Sequence, residues 1–346
     1  MSMKYYDAFC GIGGFHLGIV QAQPDWECIG ACEIDKFARN VYSHHFPKVK
    51  IDEDITKLDR LPEGTEMFCG GFPCQSFSIA GKRRGFSDTR GTLFFEIARL
   101  CEVSRPKILF LENVGGLLNH GGGSTYRIIL RTLTELGYCV EWQVLNSKYF
   151  VPQNRERIFI VGHLGKEPAK KVFPIEESGE GDTEPQDETQ GEGQRLRGEI
   201  ASCLAQRDYK GGNNLIISHA PRCGNPKKGG TGRLASTEKC FTLDTKPHYV
   251  SVQPILTPNR LEKRQNGRRI KDDGEPAFSL TAQDRHGIFL DRKNIRRLTP
   301  LECERLQGFP DGFTKIEGNS DCQRYKQLGN AVTVNVIKEV ASRIEG

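Results

Sequence analysis

The first 165 residues alternate short apolar runs with stretches in which apolar positions recur every three or four residues. Lys4 to Phe9, Glu27 to Glu33, Glu66 to Gly70, Lys107 to Glu112, Tyr138 to Leu145 and Arg157 to His163 have the length and apolar density of strands. Thr92 to Val103 and Ser124 to Leu136 carry the helical period between them. Such alternation predicts an α/β fold: a doubly wound, mostly parallel sheet covered by helices on both faces. A ligand of that sheet belongs at the carboxyl ends of its strands.

Past residue 165 the pattern changes. Pro174 to Gln194 holds eight acidic residues, no basic one and, after its opening proline, one apolar residue, Ile175. It cannot bury enough surface to order itself and reads as a linker or mobile loop. From Glu199 to Leu290 a short pattern recurs around Leu204, Leu243 and Leu280, each copy running through a polar turn into a second β-like run, the third being Ile288 to Leu290. The copies read as three strand-turn-strand units of a smaller β-rich domain; chance similarity within a β-rich region is the alternative. Thr299-Pro-Leu-Glu forms a capping box opening a helix through Leu306, and Asn330 to Ile344 reads as the final helix.

The chain has 346 residues, 37% hydrophobic and 27% charged, with a mean hydropathy of -0.51, the profile of a globular protein with a real core. No apolar run approaches the roughly 18 residues of a spanning helix. The opening Met1-Ser-Met-Lys-Tyr-Tyr-Asp is charged where a secretory signal is apolar, so a cytoplasmic protein without a membrane partner is expected. Twelve cysteines without a signal read as reduced thiols. The close pairs Cys28/Cys32 and Cys69/Cys74 lack a second set of ligands, so no structural metal is expected. The net charge of +5 hides an asymmetry: Arg195 to Thr299 carries 21 Lys and Arg against 10 Asp and Glu. A polyanion partner for that third, or a solvated basic surface, accounts for it.

Three clusters carry candidate chemistry. Asp7-Ala-Phe-Cys-Gly-Ile-Gly-Gly-Phe follows the first strand and opens a helix, so its backbone can approach a ligand at a helix N-terminus. Glu33 ends the second strand, where a carboxylate can accept bonds from ribose hydroxyls. His16 stands where a dinucleotide fingerprint needs its third glycine, which favours another nucleoside-bearing cofactor; a structural strand-to-helix turn reads the same way. Gly70-Gly-Phe-Pro-Cys-Gln-Ser places Cys74 in a loop at the carboxyl edge, Glu112-Asn-Val ends another strand there, and Gln153-Asn-Arg-Glu-Arg leads into a third. A thiol, a carboxylate and two guanidinium groups can therefore converge, with the cations favouring the thiolate.

With these residues the chain resembles the DNA (cytosine-5)-methyltransferases of prokaryotic and phage restriction-modification type, over Tyr5 to Gly165 and Arg297 to Ile337. The resemblance implies a Rossmann-like catalytic domain (1–165 with 318–346), an acidic linker (166–198), a target-recognition domain (199–296) and a framework helix with its connection (297–317). It implies S-adenosylmethionine as cofactor, S-adenosylhomocysteine as product and double-stranded DNA as substrate. A monomer acting apart from any cognate restriction endonuclease is expected. Asp7, Phe9, Gly11, Ile12, Gly13, Gly14, Glu33, Ile34, Asp54, Ile55, Phe72, Leu93, Asn330 and Val332 would hold the cofactor. Cys74 would be the nucleophile, Glu112 and Arg157 would bind the base, and Arg155 would brace Cys74 and Arg157. Ser78, Lys82, Arg83 and Arg84 would grip DNA from a lid, and Arg207, Lys210, Gln283, Arg285 and His286 would face it from the turn tips. One branch of the family modifies tRNA and is the alternative, although that branch usually lacks so large an insert.

Overall fold

The computed structural model describes residues 2–73, 93–165, 170–176, 252–258, 268–290 and 294–345. The chain divides into two compact units, one of Met1–Thr183, Ser279–Asp284 and Thr299–Gly346, the other of Glu184–Phe278 and Arg285–Leu298.

In the first unit β1 (Lys4–Ala8), β2 (Glu27–Cys32), β3 (Ile51–Asp52), β4 (Met67–Gly71), β5 (Ile108–Val114), β6 (Tyr138–Asn146) and β7 (Glu156–Leu164) form one seven-stranded sheet. Its order is β3-β2-β1-β4-β5-β7-β6, parallel from β3 to β5, with β7 antiparallel to both neighbours. The doubly wound, mostly parallel sheet expected from the alternation is the one observed. Successive strand residues divide between its faces because side chains alternate with a period of two. Tyr6, Phe68, Leu109, Leu111 and Ile158 pack on one side with α3 (Leu93–Ser104) and α4 (Ser124–Glu135). Tyr5, Met67, Phe110, Phe159 and Val161 pack on the other with α1 (Gly14–Ala22) and α7 (Val334–Arg343). Both faces carry buried side chains covered by helices, which is why the strands read as apolar runs rather than as alternations.

Helix ends follow local chemistry. Asp35 caps α2 (Lys36–His45), its Oδ1 accepting from the amides of Phe37 and Ala38. The capping box of α5 (Pro300–Leu306) is present as read: Thr299 Oγ1 accepts from Glu302 N, and Glu302 Oε2 accepts from Thr299 N. The expected final helix is present but starts at Val334 rather than at Asn330. Asn330 ends α6 (Asp321–Asn330), and α7 begins at Val334. The break is held by side chains that capture the carbonyls a continuous helix would use: Gln307 Nε2 donates to Leu328 O at 2.7 Å, and Arg155 Nη2 to Ala331 O at 2.8 Å.

The expectation that the acidic segment is solvated from its start is corrected. Val172, Phe173 and Ile175 are buried in the core beside Phe159 and Val340. Gln143 on β6 pairs with Ile175 through both its amide groups, Oε1 accepting from Ile175 N at 2.7 Å and Nε2 donating to Ile175 O at 2.8 Å. Glu141 accepts from the amides of Val172 and Phe173. Side chains of the edge strand thus recruit backbone that composition alone leaves free. Residues 177–198 lie outside the described residues.

In the second unit β8 (Val252–Leu256), β9 (His286–Leu290) and β10 (Asn294–Arg297) form an antiparallel sheet in the order β10-β9-β8. The repeat copies at Leu204 and Leu243 lie outside the described residues. In the third copy Ile288 to Leu290 is strand as expected, but Ser279–Asp284 forms none, because its backbone bonds go to side chains of the first unit's own segments. Among the described residues no helix is long and apolar enough to cross a membrane.

Candidate functional site

The chain leaves β1 toward β2 on one side and returns to β4 on the other, so the loops at their carboxyl ends diverge and open a crevice. A cleft of about 480 Å³ lies there, within the usual range for small-ligand sites. One half is built around the loop after β1. Phe9 and Gly13 hold left-handed φ angles of 53° and 92°; Gly13 serves as the N-cap of α1. Such geometry is costly for Phe9 and natural for glycine. Glu33 accepts the Gly11 amide at 2.9 Å through Oε2 and the Asp35 amide at 2.8 Å through Oε1. Each oxygen retains a lone pair for a ligand hydroxyl. Burial raises the Glu33 pKa, and the Asp35 and Gly11 amides oppose the shift. Asp54 accepts from the hydroxyl and amide of Thr56, which hold its carboxyl below the ordinary range. Asp35 and Glu53 complete a rim of four carboxylates.

The other half lies at the ends of β4 and β5. Gly71 pairs with Glu112 across the parallel ladder. Because β7 runs the opposite way, its early residue Arg157 pairs with the late residue Val114 and reaches the same edge. Arg157 Nε stands 3.0 Å from Glu112 Oε1, with the Glu112 side chain only 9% exposed. Burial raises the Glu112 pKa, opposed first by the Arg157 charge and then by that of Arg155. Asn113 Nδ2 donates to Phe72 O at 2.9 Å and fixes the β4 exit against the β5 end. Phe72 and Pro73 line the cleft. Cys74 lies outside the described residues, as do Ser78, Lys82, Arg83, Arg84, Arg207 and Lys210.

Of the sequence-expected cofactor residues, Phe9, Gly11, Ile12, Glu33 and Ile34 line this cleft, as do Asp54, Ile55, Phe72, Leu93 and Asn330. Asp7, Gly13, Gly14 and Val332 are absent from its wall. Asp7 is fully buried behind the loop; burial raises its pKa, with the His16 amide opposing and Glu33 adding. Val332 belongs to the core with Phe15 and Val336. Arg155 lines the cleft together with Arg157. Its Nη1 donates to Leu280 O at 2.6 Å and its Nη2 to Ala331 O at 2.8 Å, while its buried Nε has no hydrogen-bond partner among the described residues. Gln283, in the first unit's Ser279–Asp284 segment, is exposed, as is Arg285 of the second unit, whereas His286 is 6% exposed as the first residue of β9 and is no turn tip.

Residues missed by sequence reading include Asp35, Gln307 and Lys326. Asp35 was visible as the acidic residue opening an apolar stripe of Ala38, Val41 and Tyr42. Lys326 Nζ bonds Asp35 Oδ2 at 2.6 Å across the cleft rim, a pairing no local pattern announces.

The donor set fits a nucleoside that carries positive charge and no phosphate. Four carboxylates surround the first half of the cleft, while the basic residues that line it, Arg155, Arg157 and Lys326, are held by carbonyls, Glu112 and Asp35. Among the described residues no cluster of His, Cys, Asp or Glu is placed to hold a metal ion.

The model of the C-5 cytosine-specific DNA methylases matches residues 3–346. The chain is 34% identical to the orphan methyltransferase M.SPRI of Bacillus phage SPR, covering 98% of this chain and 96% of that protein. It is 34% identical to the type II methyltransferase M.BanI of Aneurinibacillus aneurinilyticus, covering 98% and 95%. The solved structure of the Entamoeba histolytica methyltransferase EhMeth is similar in fold, with a TM-score of 0.57 at 17% identity over 98% of this chain and 96% of that one.

Proposed function

The chain belongs to the C-5 cytosine-specific DNA methylase family, and on that premise we propose that it methylates carbon 5 of a cytosine flipped out of a short duplex sequence, through a covalent Cys74 adduct at carbon 6. The observation that carries the reading is the Glu112–Arg157 pair at one end of a cleft whose other end is ringed by carboxylates. Bound S-adenosylmethionine supplies the electrophilic methyl group. Glu33 would accept from its ribose hydroxyls, Asp54 and Ile55 would meet its adenine, and the carboxylate rim would favour its positive charge.

Carbon 5 of cytosine is too weak a nucleophile to react unaided. Addition of the Cys74 thiolate at carbon 6 makes the ring an enamine, and the leaving of the carbon 5 proton later lets the thiol depart. Glu112, whose neutral form burial favours, would donate to ring nitrogen 3 and accept from the exocyclic amine. Arg157 would bind the carbonyl oxygen and keep Glu112 aimed. Neither ring carbon is reachable in a stacked base, so flipping is required, at a cost of a few kcal/mol. Ser78, Lys82, Arg83 and Arg84 would hold phosphates beside the flipped base. The second unit, with Arg207, Lys210 and Arg285, and Gln283 from the first unit's Ser279–Asp284 segment, would read the sequence from the major groove.

Transfer of tritium from labelled cofactor to unmethylated plasmid DNA, with tRNA as the competing substrate, tests the reading. Label in DNA at cytosine carbon 5 is expected. Label confined to tRNA would replace the substrate, and label in neither would remove the reading.

A further inference from the structure

The six residues Ser279–Asp284 belong to the first unit, although the chain on both sides of them belongs to the second. Unlike contacts hold this peg. The Leu280 amide donates to Gln153 Oε1 at 2.8 Å, and the Leu280 carbonyl accepts from Arg155 Nη1 at 2.6 Å. The Leu280 side chain is 3% exposed. The backbone of Thr281 and Ala282 lies so close to Gly329 that a Cβ on Gly329 would overlap both residues. The glycine is therefore required by this close approach.

The same groups hold the cleft wall. Arg155 Nη2 donates to Gly329 O at 3.3 Å and to Ala331 O at 2.8 Å. Gln153 Nε2 donates to Leu306 O at 2.8 Å and to Gln307 Oε1 at 3.2 Å, and Gln307 in turn holds Leu328 O. Gly329, Asn330 and Ala331 all line the cleft. One buried guanidinium thus grips the peg with one nitrogen and the wall with the other, and no loose element intervenes. Packed networks of this kind shift between discrete arrangements rather than deforming gradually.

We propose that Gln153, Arg155 and Gly329 are positioning residues that couple occupancy of the cofactor cleft to the placement of Ser279–Asp284, and so of Gln283, which is proposed to read DNA. This rests on the cofactor reading given above. A ligand that orders Gly329–Ala331 orders the peg before DNA arrives, and by linkage bound DNA tightens the cleft on its ligand. The specificity of the reaction then depends in part on residues that touch no base.

Hydrogen exchange of the full chain with and without S-adenosylhomocysteine tests this directly. In the parent protein the ligand is expected to slow exchange in the peptide spanning 279–284 about tenfold or more, together with residues 11–13 and 329–331. In Gly329→Ala, residues 11–13 should keep their protection while 279–284 lose it, and KM for unmethylated plasmid DNA should rise more than kcat falls. Gln153→Leu, which removes the acceptor of the Leu280 amide, should show the same loss of ligand dependence and serves if Gly329→Ala does not fold. Protection at 11–13 and 329–331 with 279–284 unmoved in the parent protein would overturn the coupling alone. Absence of ligand binding would remove the cofactor reading and the coupling with it.

Discussion

Replacing Glu112 by glutamine separates charge from shape. The carboxamide keeps the heavy-atom outline and meets the same neighbours, Arg157 Nε at 3.0 Å from Oε1 and the backbone at Gly71, where even a methyl carbon would stand 3.0 Å from Oε2. It loses the negative charge and the capacity to hold a proton. Burial raises the Glu112 pKa above its ordinary 4.5 despite Arg157 and Arg155. The folded protein therefore binds this proton more tightly than the unfolded chain does. The stability it contributes is present at low pH and is lost as pH rises from the unfolded value through the raised folded one. Glutamine stays neutral and escapes that loss, so the melting temperature of Glu112→Gln relative to the parent should climb with pH through this window. Turnover should move the other way. Hydrogen bonds that strengthen as charge develops on a ring are worth about 10²–10³ in rate, or about 2.7–4 kcal/mol. Calorimetry across the acid to neutral range, DNA affinity, and methyl transfer at saturating DNA and cofactor measure the three quantities. A collapse of DNA affinity with unchanged saturated turnover would refute the catalytic argument; a melting difference between variant and parent that does not rise with pH would refute the electrostatic one.

Ile175→Ala should cost about 2–5 kcal/mol in denaturant unfolding, because Ile175 is buried at 3% exposure in the core; a change under about 0.5 kcal/mol, the size expected at an ordinary surface position, would show that the segment does not pack there. Deleting residues 179–192, beyond that anchor, should change stability by less than about 1 kcal/mol and leave the methylation profile on a randomised duplex library as it was; an altered profile would make the acidic segment part of the reader. Arg285→Ala should lose about 1–3 kcal/mol of discrimination at one base pair if the guanidinium reads a guanine, whereas a uniform loss across the library with a shallower salt dependence would mean that it meets phosphate.

Long-period features were legible in the chain because they are written in local patterns. The apolar runs located six of the seven strands of the sheet, and Thr299-Pro-Leu-Glu announced its helix through the same atoms that cap it. The two-residue strand Ile51–Asp52 is too short to show a period. Glu112 and Arg157 were readable as residues at strand ends, but their meeting depends on β7 running antiparallel, which no single segment encodes. Ile175 looked solvated because its partner, Gln143, lies on a distant strand. Arg155 is legible beside Arg157, but the carbonyls of Leu280 and Ala331 that its Nη1 and Nη2 reach lie more than a hundred residues along, and only the fold brings them together.

The central claim is a covalent bond between Cys74 and the target cytosine. Duplex DNA from the randomised library, synthesised with 5-fluorocytosine, should trap it in the presence of S-adenosylmethionine, because fluorine cannot leave as a cation once the methyl group is in place. The account predicts a complex that survives denaturation, whose digested peptide carries the nucleotide on Cys74, and which Cys74→Ser abolishes. A complex that dissociates on denaturation although the same preparation methylates ordinary DNA would contradict it.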